Sequence, residues 1–161
     1  LRKQVELLIH KVGNTTVNVQ QNIIVNNIGN EDVSYINNGF LNNLLNAPYV
    51  AIPKLIENIH FNPDHPENHN IKITNRKEPY VKVYKDNKWL LEDKKTVIDE
   101  MVDKSKMMLD EHRDPSLHTD FKNNCYDLFS NKFEDGDKDL LKNINKDVEL
   151  LVINKSDDKK K

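Results

Sequence analysis

The sequence predicts an α+β domain in which helices precede and follow a small antiparallel sheet. Three observations carry this. Residues 34 to 61 space their apolar side chains as helices do. "NIKIT", "YVKVYK" and "KWLLED" then alternate apolar and polar positions in close succession. Residues 94 to 153 return to helical spacing in three runs, separated by Asp114-Pro115 and Asp135-Gly136.

Composition sets the outer limits. A chain of 161 residues suggests one domain with a core of its own, with room for an appended helix. The formal charge of −2 argues against nucleic-acid affinity driven by bulk charge over the whole chain. Charged residues at 31% and hydrophobic ones at 37% fit a polar, water-soluble protein. No apolar run approaches the roughly 18 residues of a membrane span, and no secretory h-region opens the chain, so a membrane partner is not expected. One cysteine, Cys125, forbids an internal disulfide and suits a reducing compartment. Beside Tyr126 and Phe129 it reads as a buried, inert thiol. Heavy use of Asn, Lys and Ile is the habit of AT-rich genomes. The chain begins at Leu1 instead of methionine, which leads to the expectation of a fragment or processed product.

The elements follow in order. Leu1, Val5, Leu8 and Val12 keep the four-and-three spacing of coiled-coil a and d positions, and Gly13-Asn14 stops the run. Residues 1–13 are therefore read as the end of a longer coiled coil, with an ordinary amphipathic helix as the standing alternative. Residues 14–30 have strand character: Val17, Val19, Ile23 and Val25 share a parity among Asn and Gln. Such a polar strand beside a coiled coil can pair with its own copy, or form an edge strand or hairpin within the domain. Together these side chains are the expected self-association surface, forming a dimer or trimer.

Residues 31–153 are expected to be the globular domain. Ser34 is a plausible N-cap for a helix carrying Ile36, Phe40, Leu41, Leu44 and Leu45, and Pro48 breaks it. Pro53 suits the first turn of a second helix through Leu55, Ile56 and Ile59. In the meander, Asp86-Asn87 is the turn dipeptide, and Trp89 with Tyr84 is expected to anchor the covered face. The helix over 94–111 presents Val97, Ile98, Met101, Val102, Met108 and Leu109. Another, over 119–133, presents Phe121, Tyr126, Leu128 and Phe129. The last, over 137–153, presents Leu140, Leu141, Ile144, Val148 and Leu151. Residues 154–161 read as a disordered tail.

The stretch "IHFNPDHPENHNIKI" raises the question of chemistry. Zinc would need four closed-shell ligands, but His60, His65 and His69 have only Asp64 and Glu67 to complete a set, and two prolines hinder convergence. No metal or other cofactor is expected. The stretch also resembles the loop half of HNH-type nucleases, which implies His60 as base and Asn68 as the residue orienting it. The helix over 94–109 carries no histidine, however, so the metal ligand such an enzyme needs is missing from its place. The third reading is architectural: Asn62-Pro63, His65-Pro66, Asn68 and Asn70 are turn-formers whose amides satisfy backbone groups. That reading is preferred. A non-enzymatic protein is expected, with the nuclease as the alternative.

Longer blocks carry a second resemblance. "VNNIGNEDVSYI", then "IPKLIENIHFNPDHPENHNIKITN", "YVKVYKDNKW" and "DKKTVIDEMVD" occur in an order that resembles the C-terminal domain of zinc-finger/coiled-coil proteins of giant nucleocytoplasmic DNA viruses, mimivirus-like ones especially. The resemblance spans roughly residues 14 to 110. It implies a viral oligomerisation and interaction domain of a DNA-binding protein whose zinc finger would lie upstream. It also implies residence in the host cytoplasm (the viral factory) or in the virion, not secretion. Within the chain, Lys72, Arg76, Lys77, Lys82 and Lys85, interleaved with Tyr80 and Tyr84, are the candidates for contact with nucleic acid, with an ordinary solvated sheet face as the standing alternative.

Overall fold

The computed structural model of the chain describes residues 23 to 158. Among the described residues, five α-helices leave one face of a three-stranded antiparallel sheet open and cover the other, so the α+β class and the meander are as the sequence predicts. The predicted coiled-coil end at Leu1, Val5, Leu8 and Val12 lies outside the described residues. So do Val17 and Val19 of the predicted strand and residues 159–161 of the predicted tail.

The first described segment corrects the strand expectation. Residues 23 to 33 form no ladder but run as a strap across the domain. Asn26 N donates to Glu67 O at 2.8 Å and Ile28 N to Tyr84 O at 2.9 Å. Ile23 is exposed and Val25 half-buried, so the shared parity of the two does not mark one covered face. At Gly29 the backbone takes φ +92°, a region open to glycine, and the strap turns there.

Helix α1 covers Asn38–Leu44, and its cap is Asn37, whose side chain accepts from Phe40 N at 2.8 Å. Ser34, the expected cap, instead donates its backbone N–H to Asp32 in a preceding turn. Helix α2, Pro48–His60, starts one proline earlier than expected. Pro48 occupies the first position, where a missing N–H costs nothing, and Pro53 sits inside the helix. The helix tolerates Pro53 because tertiary burial outweighs one lost backbone bond: Ala51, Ile52, Leu55, Ile56 and Ile59 are all buried. Truncating Ile52 or Leu55 to alanine would cost about 2–5 kcal/mol. α2 is the central element and packs on every other helix.

The sheet comprises β1 (Ile71–Lys72), β2 (Tyr80–Lys85) and β3 (Lys88–Asp93), paired in that order. β1 is shorter than "NIKIT" promises, since Ile73 N leaves the ladder to donate to Ser156 Oγ at 3.0 Å. The Asp86-Asn87 turn has φ 53° and 65°, both left-handed, as a two-residue type I′ hairpin requires. That turn sets Tyr84 opposite Trp89 and Lys82 opposite Leu91. Ile71, Ile73, Val81 and Val83 are buried against the helices.

Helix α3, Lys94–His112, begins at the end of β3, with Asp93 capping Thr96 N at 3.0 Å. It buries the expected stripe, with Met108 half-buried, and also Ser105 and Lys106. Lys106 reaches Asp110 (2.6 Å), Ser130 (3.0 Å) and Glu134 (3.2 Å), so its buried charge is compensated across to α4. Tyr126 donates to Asp110 in the same cluster, and burial first, then that bond, push its phenol pKa up. Helix α4, Asp120–Glu134, buries Tyr126 and Phe129, but Phe121 and Leu128 face solvent, contrary to the expected stripe. Cys125 is half-buried, not sealed in the core. Helix α5, Lys138–Asp158, runs past the expected end at 153, so residues 154–158 are helical and not a tail. Ser156, buried on β1, and a 3.2 Å ion pair between Lys155 and Glu57 hold that last turn. Among the described residues, no helix is long and apolar enough to cross a membrane.

Candidate functional site

The alternation of β2 sends Val81 and Val83 inward, which forces Tyr80, Lys82 and Tyr84 to the opposite face. Register carries Trp89 and Leu91 to that face with them. Tyr84 and Trp89 therefore do not anchor the covered side. They meet edge to face on the open side, with ring centroids 5.5 Å apart. Lys72 comes from the neighbouring strand and sets its Nζ 4.1 Å from the Trp89 ring centroid. Tyr80 is 50% exposed and Leu91 65%, so the face is apolar, aromatic and uncovered by any described element. A shallow depression at its far end is bordered by Thr74, Asn75, Glu78, Tyr80, Lys82 and Leu91.

Of the predicted contact residues, the structure brings Lys72, Tyr80, Lys82 and Tyr84 together. Arg76 and Lys77 lie in the exposed β1–β2 connection, beyond the strand ends. Lys85 has the parity of Val83 and turns to the opposite side, beside the strap. Trp89 and Leu91 were missed as members of the face. Their signal was available, since a two-residue turn at Asp86-Asn87 pairs Tyr84 with Trp89, and the inward valines of β2 had already sent Tyr84 outward.

The histidine stretch has a different fate. His60 is buried, and its Nδ1 lies 2.8 Å from Asn70 Oδ1. Asn70 turns its amide nitrogen to Glu31 Oε2 at 2.7 Å, and Gly29 N donates to the same oxygen at 2.7 Å. Burial lowers the His60 pKa below its ordinary value; the Glu31 carboxylate and the Asn70 bond oppose that and Lys104 adds to it. Asn68 is fully buried, accepts from Asp32 N at 2.9 Å and Asn26 Nδ2 at 3.1 Å, and donates to Asp32 O at 2.7 Å. His65 stacks on Tyr35 with centroids 3.5 Å apart, and the Tyr35 hydroxyl donates to Asn58 O at 2.6 Å. His69 Nε2 meets Asn62 O at 2.8 Å. Each ring is thus turned to a different local partner, and Asn68 and Asn70 clamp the strap onto the end of α2. Among the described residues, no group of three or more His, Cys, Asp or Glu side chains converges as metal ligands would.

Compared with models of protein families, with curated proteins and with solved structures, the chain matches none.

Proposed function

We propose that the chain is a non-enzymatic interaction module that binds nucleic acid with exposed bases on the open sheet face and self-associates through residues 1–28. The observation that carries the first part is the Tyr84–Trp89 pair with Lys72 against it. An exposed aromatic offers a stacking platform to any base, worth about 1–3 kcal/mol per base, while lysines beside it neutralise phosphate. Lys72 and Lys82 lie on the face, with Arg76 and Lys77 in the adjoining connection. The chain as a whole is weakly acidic, so binding is local, modest and salt-sensitive. An open sheet face suits an unstacked strand, whose bases are free to lie on the rings, better than a duplex whose bases are hidden. The self-association reading rests on the a/d spacing of Leu1, Val5, Leu8 and Val12.

Trp89 is the chain's single tryptophan, so its fluorescence reports this face alone. Titration with single-stranded DNA at low salt should quench it, and duplex of the same length should quench it less. Lys72→Gln and Lys82→Gln should each make the salt dependence shallower by about 0.7 in log–log slope. Neither quenching nor a gel shift at 50 mM salt, roughly, would overturn the reading. A nuclease assay with magnesium, manganese or zinc runs beside the titration. Cleavage that disappears in a folded His60→Gln variant would put the nuclease in its stead.

A further inference from the structure

Between the strap and α3 lies a partly enclosed cleft of about 220 Å³. Ile28 of the strap, with Val97, Met101 and Met108 of α3, forms its apolar wall, and the charged side chains of Glu31, Lys85, Glu92, Glu100 and Lys104 border it. At about 30 Å³ per molecule of liquid water, it has room for roughly seven waters or one small ring system. It is smaller than the roughly 300–1,000 Å³ of sites for drug-sized ligands, so a fragment-sized molecule fits it.

Besides that charged border, two neutral polar groups line this space. The first is His60. Asn70 gives its amide nitrogen to the Glu31 carboxylate, which can only accept, so the Asn70 oxygen is the atom that faces the imidazole. That oxygen is also an acceptor. The neutral ring must therefore carry its proton on Nδ1, leaving Nε2 with its lone pair. Burial in the same place keeps the ring neutral near pH 7. The second is Ser105, a buried residue of α3 whose hydroxyl can donate. At the rim, Lys85 and Lys104 face three carboxylates, Glu31, Glu92 and Glu100, and Lys104 is engaged by Gly29 O and lies 3.8 Å from Glu31, so the excess of negative charge disfavours a ligand carboxylate. Methionine side chains at 101 and 108 favour an aromatic guest through sulfur–ring contact.

We propose that this cleft is a binding site for a small, neutral, planar nitrogen heterocycle bearing an exocyclic amine beside a ring nitrogen. The amine N–H donates to His60 Nε2, the ring nitrogen accepts from Ser105 Oγ, and the ring lies between Ile28 and the two methionines. The site is separate from the sheet face, and the proposal stands without any reading of that face.

The test uses the full chain with 2-aminopyrimidine and adenine as probes, and benzoate and toluene as size-matched controls. Methyl NMR and thermal shift are the readouts. The heterocycles should bind with Kd of roughly 0.1–1 mM and shift the methyls of Ile28, Met101 and Met108. Benzoate and toluene should bind at least about tenfold more weakly. Ser105→Ala changes little volume and should weaken the heterocycles about tenfold without affecting toluene. Met108→Trp, narrowing the cleft, should weaken both, with circular dichroism showing that each variant is folded. No saturable binding at several millimolar, roughly, would overturn the proposal. So would toluene binding as well as adenine, or indifference to Ser105→Ala, because neither His60 nor Ser105 would then be recognising the guest.

Discussion

Replacing Asn68 by alanine tests the argument that the histidine-rich loop is a clamp. The side chain is fully buried and makes three hydrogen bonds: two accepted, from Asp32 N and Asn26 Nδ2, and one donated, to Asp32 O. All reach residues of the strap, more than thirty positions away in sequence. Each is worth about 1 kcal/mol net, and a buried group left unpaired costs more. Asp32 is itself exposed, so water can replace part of what its backbone loses. The expected loss is therefore about 2–3 kcal/mol. Urea denaturation measures it, and hydrogen exchange locates it. The amides of Asn26, Ile28 and Asp32 should lose protection, while those of α2 slow and fast together with the global transition. A loss under about 0.5 kcal/mol, or one with no local change in the strap, would refute the clamp.

Three further outcomes are expected. Because burial lowers the His60 pKa, the unfolded chain binds a proton that the folded one resists; stability is full above about pH 6.5 and falls as pH drops through and below it, by at most about 1.4 kcal/mol per unit. His60→Gln should flatten that stretch of the curve, whereas Asp32, Asp93 and Asp114, with lowered pKa values, act only below about pH 4. At the hairpin, Asn87→Val should cost about 1–2 kcal/mol because φ 65° is left-handed, and Asn87→Gly should cost nothing; a valine variant that melts within a degree of the parent would contradict the assigned turn. Deleting residues 1–22 should give a monomer of unchanged domain stability by sedimentation and thermal melting. Deleting 1–28 should also destabilise the domain, since Asn26 and Ile28 are bonded to Glu67 and Tyr84. A full chain that sediments as a monomer at tens of micromolar, roughly, would end the self-association proposal.

Local chemistry was enough for several features, because each depends on neighbours in sequence. Asp86-Asn87 can take left-handed φ, so the hairpin and its register were legible. Val81 and Val83 alternate with polar residues, so one sheet face had to be buried. Val97, Ile98, Met101, Val102 and Leu109 repeat at helical spacing, so α3 was legible with its buried side. Other features depend on what arrives from far away, and only the tertiary structure decided them. Ile23 and Val25 share the parity of a strand, but the partners offered to residues 26–28 are Glu67, Asn68, Asn70 and Tyr84, spaced for a strap and not for a ladder. Phe121 and Leu128 are as apolar as Tyr126 and Phe129, yet α4 can turn only one side to the core. Tyr126 wins that side because Asp110 and Arg113 of the neighbouring segment engage its hydroxyl and ring. His60 could have been a base, a ligand or a helix cap on the strength of its position alone. What it became was set by Asn70, ten residues on, and Glu31, on a strap that only folding brings to it, because a buried imidazole takes its proton position from whatever accepts its hydrogen bond.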